Sequence, residues 1–265
     1  MKKLVILLLF FGALTSCNVT ETIVFNEDGS GEFISSFDMG QVMSKMKEMG
    51  PNSNSNSNKK KEVLDTTMVF ADIAETYKDS IAALPEDKRQ IFEAVKDMYM
   101  TMKMDENSGE MNMAIGMKFN SIEGLKDIQK KIKQAQSLNE QGDQLDAVKS
   151  QTPLGSLAGG DDNVRYSYTE KGFARSTAVA EKTEEEIGEL ESLFKDDADE
   201  TSKEFLQYFE SATYTVKLVF PKTVKSVSIE GAQVSEDGKT VTYQANWIDY
   251  IKNPKSLDVN VTFEE

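Results

Sequence analysis

The chain has 265 residues, no histidine, a single cysteine and a formal charge of −15, with 45 acidic against 30 basic side chains. This length is enough for one large core or two smaller ones, while the negative charge repels nucleic acid, so no nucleic-acid partner is expected. The lack of histidine and of a second thiol excludes His-based acid–base catalysis, His-ligated zinc and disulfide bonds within the chain.

Residues 1–17 have the pattern of a lipoprotein signal peptide. Lys2 and Lys3 form a positive start, an apolar run extends to Leu14, and small residues precede Cys17. The apolar run is shorter than the roughly 20 residues that a transmembrane helix needs. We therefore predict a signal peptide over residues 1–17 and lipidation of Cys17.

The mature domain is expected to lie close to the membrane. Strand-like residues begin by Thr22, so about four extended residues, on the order of 14 Å, would separate the lipid on Cys17 from the fold. Without Lys2 and Lys3 the charge becomes −17, with 28 basic against 45 acidic side chains. The chain would thus be held at a bilayer that its own charge does not attract.

The first part of the mature chain predicts a β-hairpin over residues 22–38, turning at Asp28-Gly29. Alternation places four apolar side chains on one face of it. They are Ile23, Phe25, Phe33 and Phe37. Residues 39–49 have helical spacing, and the Asn/Ser/Lys-rich stretch near 50–61 predicts a flexible surface loop.

Residues 70–98 predict two amphipathic helices that form a helical hairpin, the second helix opening at Pro85. Residues 99–105 and 110–119 then alternate strictly around a polar turn and predict a second β-hairpin. A further helix is expected from Ser121.

Methionine is concentrated in and beside this second hairpin. The residues are Met98, Met100, Met102, Met104, Met111, Met113 and Met117. If both strands bury their methionine faces, Met104 must lie opposite Met111 and Met102 opposite Met113. Such thioethers suit an adaptable core, a Cu(I) site, or a pliable surface for lipid or peptide. The even spacing and the absence of histidine favour the core.

The stretch near 139–162 has no periodicity and predicts a long flexible loop. A third hairpin is expected from residues 163–169 and 172–179. Further strands are predicted at residues 213–220, 226–230, 240–245 and 257–263. Asp237-Gly238 predicts a hairpin turn, and residues 247–251 a short helix.

A hairpin followed by a helix thus recurs near residues 22–49, 99–138 and 163–209. This repeat predicts an α+β fold: an antiparallel β-sheet built from repeated hairpin–helix units, with the helices packed on one face. Residues 18–265 are expected to form this one domain.

Patterns for catalysis and metal binding are weak. Ser44 and Ser192 begin the S-x-x-K spacing of serine acyltransferases, but the other motifs of those enzymes are missing. A calcium loop that begins at Asn26 would require Glu where Phe37 stands. We therefore predict no catalytic residue, no metal site and no cofactor.

Several stretches resemble known lipoproteins. Cys17, the turn Asn26-Glu-Asp-Gly-Ser-Gly31 and the segment Phe119-Asn-Ser-Ile-Glu-Gly-Leu125 resemble the envelope lipoproteins common in Bacteroidota-type bacteria. Leu218-Val-Phe-Pro221 with Ser235-Glu-Asp-Gly-Lys-Thr-Val-Thr-Tyr243 is similar to LppM-type lipoprotein domains. Because no acidic run follows Cys17, the first resemblance implies an outer-membrane anchor that faces the periplasm.

These observations predict a membrane-anchored envelope lipoprotein that acts as a non-catalytic accessory or interaction protein. The alternative is a carrier of an apolar ligand such as a lipid, held between the sheet and its helices. The expected partners are the membrane, through Cys17, and a protein or lipid. An open apolar cavity would favour the carrier, whereas a flat exposed apolar patch would favour a protein partner.

Overall fold

The computed structural model describes residues 18–38, 40, 63–105, 107–126, 128–137, 163–178, 210 and 212–265. Several predictions fall outside these residues and stay predictions. They are the signal peptide, lipidation at Cys17, the loops near 50–61 and 139–162, and the helices over most of 39–49 and at 183–209.

Strands predominate in the described residues, which form a mixed α+β architecture. The strands are β1 (Asn18–Phe25), β2 (Gly31–Asp38), β3 (Val63–Val69), β4 (Met98–Asp105), β5 (Glu110–Phe119), β6 (Asn163–Thr169), β7 (Gly172–Ala178), β8 (Thr213–Val219), β9 (Val224–Val227), β10 (Gln233–Val234), β11 (Thr240–Asn246) and β12 (Val259–Phe263). The helices are α1 (Phe70–Thr76), α2 (Lys78–Ala82), α3 (Glu86–Val95), α4 (Ile128–Ser137) and α5 (Trp247–Lys252). Two 3₁₀ turns lie at Ile122–Leu125 and Pro254–Leu257.

The strands form an eight-stranded sheet, with the order β10-β11-β8-β1-β2-β5-β4-β3, and a four-stranded sheet, with the order β6-β7-β12-β9. Neighbouring strands are antiparallel except β1 and β8, which run parallel. The prediction of an antiparallel sheet is therefore wrong at this pair. Asn18 and its partner Thr213 are 195 residues apart, and only strands joined by a short turn are obliged to be antiparallel.

The three predicted hairpins are confirmed as β1–β2, β4–β5 and β6–β7. The repeated hairpin–helix unit is not confirmed, because two of the hairpins lie in the first sheet and the third lies in the second. The expectation of one sheet with helices on one face is also corrected, since a second sheet packs on the first. This second sheet forms because β7 pairs with the distant strand β12, which no local pattern indicates.

The inner face of the first sheet carries a continuous buried row across six strands. In register, the row is Val241, Leu218, Ile23, Phe33, Met117 and Met98. Each of these residues is at most 1% exposed. The predicted burial of Ile23, Phe25 and Phe33 is confirmed, whereas Phe37 is only half-buried.

Aromatic side chains pack between the two sheets around Phe25. Its ring stacks on Tyr168, with the ring centroids 4.4 Å apart, and lies 5.6 Å from both Phe173 and Phe220. Aromatic pairs of this kind contribute about 0.5–1.5 kcal/mol beyond the burial of their area. The second sheet is thereby held against the inner face of the first.

The register of the methionine-rich hairpin is as predicted: Met104 lies opposite Met111, and Met102 opposite Met113. Met98, Met100 and Met117 are buried in the core, but the four residues of the two predicted pairs are half-buried. The interpretation as core is therefore confirmed for one end of the hairpin only.

The helices differ from the predictions in their bounds. The predicted single helix before Pro85 is divided at Tyr77 into α1 and α2, and the helix expected from Ser121 is a 3₁₀ turn followed by α4. The α4 helix buries Ile128 and Ile132 in the common core. Among the described residues, no helix has the length and apolar character needed to cross a membrane.

Candidate functional site

Strand β1 begins at the residue that follows the predicted lipid-bearing Cys17. Asn18 pairs with Asp38 and Thr213, and its Oδ1 accepts hydrogen bonds from the backbone N–H of Thr213 at 3.3 Å and from its hydroxyl at 2.8 Å. The expected tether of about four residues is therefore wrong, since the chain is fixed in the sheet from Asn18 onward. The charged residue Glu21 hid the start of the strand, because it interrupts the apolar alternation.

A buried ion pair lies on the inner face, between Glu21 of β1 and Arg175 of β7. Arg175 Nε donates to Glu21 Oε1 at 3.3 Å, and both side chains are 0% exposed. Arg175 Nη1 donates to the carbonyl oxygen of Leu257 at 3.2 Å, whereas its Nη2 has no hydrogen-bond partner in the part of the chain that the structure describes. The pair joins the two sheets through their shared core.

Tyrosine hydroxyls complete the surroundings of Glu21. Tyr166 donates to Glu21 Oε1 and Tyr214 donates to Glu21 Oε2, each at 3.0 Å. Burial, followed by the negative charge of Glu21, raises the pKa of both tyrosines well above the usual value. Both hydroxyls therefore stay protonated at neutral pH and can donate to the carboxylate.

Arg175 keeps its positive charge in this setting. Burial by itself lowers the pKa of Arg175, but the charge of Glu21 and the neighbouring tyrosines outweigh burial and hold that pKa well above its ordinary value. Of the three donors to Glu21, Arg175 and Tyr214 are buried in the core, and Tyr166 is half-buried and packs against it. The carboxylate of Glu21 is therefore hydrogen-bonded on both oxygens, as a buried charge requires, and the pair links the two sheets.

A cavity of about 420 Å³ lies beside this cluster, between the edge strand β6 and the segment from the 3₁₀ turn into α4. Its volume is within the range of about 300–1,000 Å³ that is typical of small-molecule sites. Tyr166 lines the cavity and also donates to Glu21, so it connects the cavity wall with the buried ion pair. The lining residues are Ile122, Glu123, Leu125, Lys126, Ile128, Gln129, Lys130, Val164, Arg165 and Tyr166.

The cavity has buried apolar residues behind it and exposed charged residues at its rim. Three of the apolar lining residues, Leu125, Ile128 and Val164, are buried. Of the lining residues that the structure describes, four are charged and exposed: Lys126, Lys130 and Arg165 are basic, and Glu123 is acidic. Because the three apolar residues are at most 8% exposed, the surface that is open to a ligand comes mainly from the other lining residues.

The structure gives no support to the catalytic and metal-binding patterns that the sequence offered. Ser44 and Ser192 lie outside the described residues. The turn that imitates a calcium loop is an ordinary one, in which Asp28 Oδ1 accepts from the N–H of Ser30 at 3.0 Å and from its hydroxyl at 2.6 Å. Within the described ranges no group of three or more Cys, Asp or Glu side chains is placed to hold a metal ion. The absence of catalysis and of a metal site thus stays a prediction.

The sequence reasoning missed the ion pair and the cavity, although a signal for the pair was present. Glu21 lies two residues before Ile23, and Arg175 two residues after Phe173, so strand alternation places both charges on buried faces. An acid and a base that each occupy an apolar face are expected to pair. No comparable signal exists for the cavity, because its walls come from segments that are distant in the chain.

Comparisons with known proteins add little to this picture. No protein-family model matches the chain, and no curated protein sequence matches it. Among solved structures, the chain is similar to the NMR structure of the folded domain of LppM from Mycobacterium tuberculosis, with a TM-score of 0.34 and 9% identity. That similarity covers 93% of this chain and 88% of the other.

Proposed function

We propose that the protein is a lipid-anchored accessory protein of the cell envelope that acts by binding a partner rather than by catalysis. The observation that supports this most is the position of β1, a central strand that begins directly after Cys17. An acyl chain on Cys17 would hold the sheet at the membrane surface with no intervening linker. Multiple acyl chains, at about 0.8 kcal/mol per buried methylene, anchor a protein stably.

The proposed location is the outer membrane, and the proposed relatives are other envelope lipoproteins. The signal peptide over residues 1–17 and the non-acidic residues after Cys17 favour the outer membrane, with the domain facing the periplasm. The likeness to envelope lipoproteins of Bacteroidota-type bacteria, with an LppM-like C-terminal region, rests on the sequence stretches alone. The membrane and a protein or lipid are the proposed partners.

Metabolic labelling with an alkyne analogue of palmitate tests the anchor. The wild-type chain should carry the label and sediment with membranes, and Cys17→Ser should lose both properties. Protease added to intact cells should leave the domain uncleaved, while protease added after the outer membrane is permeabilised should digest it. A wild-type chain without label would contradict the anchor, and digestion in intact cells would contradict the periplasmic orientation.

The cavity favours a second candidate function, the binding of an apolar ligand such as a lipid. It lies between the second sheet and α4, and the carrier hypothesis places a ligand between a sheet and its helices. Native mass spectrometry of the protein purified from its own envelope, before and after lipid extraction, tests this function. An added mass that extraction removes would support it, and an unliganded chain in both samples would contradict it.

A further inference from the structure

Exposed apolar side chains are concentrated at one edge of the first sheet. Among the described residues seven large hydrophobic side chains are exposed, and six of them lie between residues 63 and 84. Four belong to the edge strand β3 alone: Val63, which is 67% exposed, Leu64, Met68 and Val69. Exposed apolar side chains that lie together mark interaction surfaces, whereas scattered ones do not. The edge of β3 is therefore a candidate for contact with another strand.

The other three edges of the two sheets are protected against such pairing. An edge strand is protected when it is short, when it bulges, or when it carries a charged side chain, Lys above all. Strand β10 has two residues, and β9 has four, with Lys225 and a register shift beside it. Strand β6 carries Arg165 and contacts the 3₁₀ turn at Ile122–Leu125.

Strand β3 has none of these protections. It pairs with β4 over seven consecutive residues without a shift, and it contains neither Pro nor Lys. Within the described ranges no strand lies on its other side. The backbone N–H and C=O groups on that side are thus available to a further strand.

The sequence of β3 is complementary to itself in an antiparallel pair of two copies. From either end of residues 63–69 the order is two apolar, three polar and two apolar residues. A pair centred on Thr66 therefore places apolar residues opposite apolar ones and polar residues opposite polar ones, which stabilises a sheet. The opposed residues are Val63 and Val69, Leu64 and Met68, Asp65 and Thr67, and Thr66 with its own copy.

The single charge in the strand selects this register. Asp65 lies opposite Thr67 of the second copy, whose hydroxyl can donate to the carboxylate. A pair centred on Asp65 would place two carboxylates opposite each other, and like charges in that position destabilise a sheet. A pair centred on Thr67 would place Asp65 opposite Val69 and leave Val63 and Leu64 without partners in the strand. Only the middle residue as centre uses all seven residues.

The two-fold axis of this pair suits two copies that stand on one membrane. The axis is perpendicular to the sheet at β3, so the inner faces of both copies lie on the same side of the joined sheet. Neighbouring strands are rotated by about 20–25°, so the four steps from β1 to β3 turn the strand direction by about 80–100°. The axis is then close to parallel to β1, and an acylated Cys17 in each copy would reach the same leaflet.

We propose that the protein forms a dimer with a second copy of itself by antiparallel pairing of the two β3 strands, centred on Thr66. Seven opposed residue pairs supply about six to eight main-chain hydrogen bonds, since such bonds come in pairs at alternate positions. A seven-residue edge is small beside the interfaces of stable dimers, so the dimer should dissociate on dilution in the micromolar range. The inference goes beyond the proposed function and depends on neither the anchor nor the cavity.

Introduced cysteines test the pair and its register, in the Cys17→Ser chain in solution and in the acylated chain in vesicles. Under mild oxidation Thr66→Cys should form a disulfide-linked dimer, because the two Cβ atoms would lie about 4.5–5.5 Å apart. Val63→Cys should react about tenfold more slowly, because its two copies would lie about 20 Å apart along the strands. A mixture of Val63→Cys and Val69→Cys should form the mixed dimer rapidly.

Charge variants at residue 67 test the contact with Asp65 through sedimentation velocity over a range of protein concentrations. Thr67→Lys places an opposite charge against Asp65 twice in each dimer and should tighten the dimer several-fold, whereas Thr67→Asp should weaken it about tenfold. Asp65→Lys combined with Thr67→Asp should restore it. Gln233→Lys and Gln233→Asp add the same charges at the exposed strand β10 and should leave dimerisation unchanged.

The outcomes that overturn the dimer differ from those that overturn the anchor. A chain that stays monomeric at high micromolar concentration would refute the dimer, as would equal effects of Lys and Asp at residue 67 or equal oxidation of Val63→Cys and Thr66→Cys. Hydrogen exchange that protects the outward-facing amides of β3 equally at low and high concentration would show that the chain covers its own edge, and would also refute it. A Cys17→Ser chain that dimerises, beside a wild type without acyl label, would refute only the anchor.

Discussion

Glu21 and Arg175 form a buried ion pair that links the two sheets. Their Nε–Oε1 contact of 3.3 Å is fully buried, and Tyr166 and Tyr214 donate to the same carboxylate. A buried pair of this kind adds little net stability compared with apolar residues, but removal of one partner leaves an uncompensated charge. Substitution of Glu21 or Arg175 alone should therefore lower the free energy of unfolding much more than substitution of both residues together.

Substitution of either member of the pair should lower the free energy of unfolding. Glu21→Leu or Arg175→Met alone should cost about 3–5 kcal/mol, while the double variant should cost clearly less than the sum of the two. Urea unfolding of the wild type, the two single variants and the double variant measures the coupling energy between Glu21 and Arg175. The exposed pair Lys96–Glu93 is the control, and its alanine variants should show no coupling. Additive costs at Glu21 and Arg175 would rule out a direct interaction.

The buried tyrosines should make the fold sensitive to alkaline pH. The pKa values of Tyr166 and Tyr214 are raised in the folded state, so the unfolded chain loses these protons first as the pH rises above about 10. Their stabilising contribution is complete below pH 10 and is lost above it, by about 1.4 kcal/mol per pH unit for each tyrosine. Urea unfolding between pH 8 and 12 measures this slope.

Tyr166→Phe provides the matched test of that pH dependence. The variant should be less stable at pH 7, because a hydrogen bond to a charged group contributes about 1.5–3 kcal/mol. Its stability should also decrease less steeply above pH 10 than that of the wild type. The exposed Tyr77, changed to Phe, should alter neither quantity. An unchanged alkaline slope in Tyr166→Phe would contradict the linkage.

Between neighbouring strands, Gly116 of β5 leaves room for a tyrosine of β4. Tyr99 lies directly opposite Gly116, and a Cβ atom at Gly116 would collide with its ring. The Tyr99 hydroxyl donates to Glu32 Oε1 of β2 at 2.9 Å, so it spans β5. Burial, followed by this hydrogen bond, raises the pKa of Tyr99 to about 12.

Gly116→Ala should displace the Tyr99 ring and weaken the sheet. The expected cost is about 1–3 kcal/mol, as for other substitutions that overpack a close contact, and the pKa of Tyr99 should fall toward 10. Absorbance titration against Tyr99→Phe follows the pKa, and urea unfolding gives the cost. In a Tyr99→Ala background the same alanine should cost less. An equal cost in both backgrounds would show that the ring is not the cause.

Strands and their register could be predicted from the sequence where apolar and polar side chains alternate along the whole strand. The register of Met102 and Met104 followed from the buried faces of two strands that are adjacent in the chain. Strand β3 was missed because its residues Val63–Val69 are mostly exposed on both faces and show no alternation. The parallel partner of β1 and the cavity depend on contacts between distant segments, which local patterns do not encode.

For the whole molecule, the central position of β1 determines which end of the first sheet lies nearest the anchor. Asn18, Asp38 and Asn112 are in register at the Cys17 end, while Phe25, Gly31 and Phe119 are in register at the other. The two ends are separated by the length of an eight-residue strand, about 23 Å. If Cys17 is acylated as proposed, the turn after β4 would lie near the membrane and the turn after β1 away from it.

Single introduced cysteines can measure this orientation, because the only native cysteine is the predicted site of acylation. Ser108→Cys labels the turn between β4 and β5, and Glu27→Cys labels the turn between β1 and β2, both at exposed positions. In vesicles with nitroxide headgroups, a fluorophore on the Ser108→Cys variant should be quenched much more than one on the Glu27→Cys variant, since about 23 Å separates the two ends. The same variants without acylation, carrying Cys17→Ser, should show weak and equal quenching. Stronger quenching of the Glu27→Cys variant in the acylated protein would reverse the orientation that β1 implies.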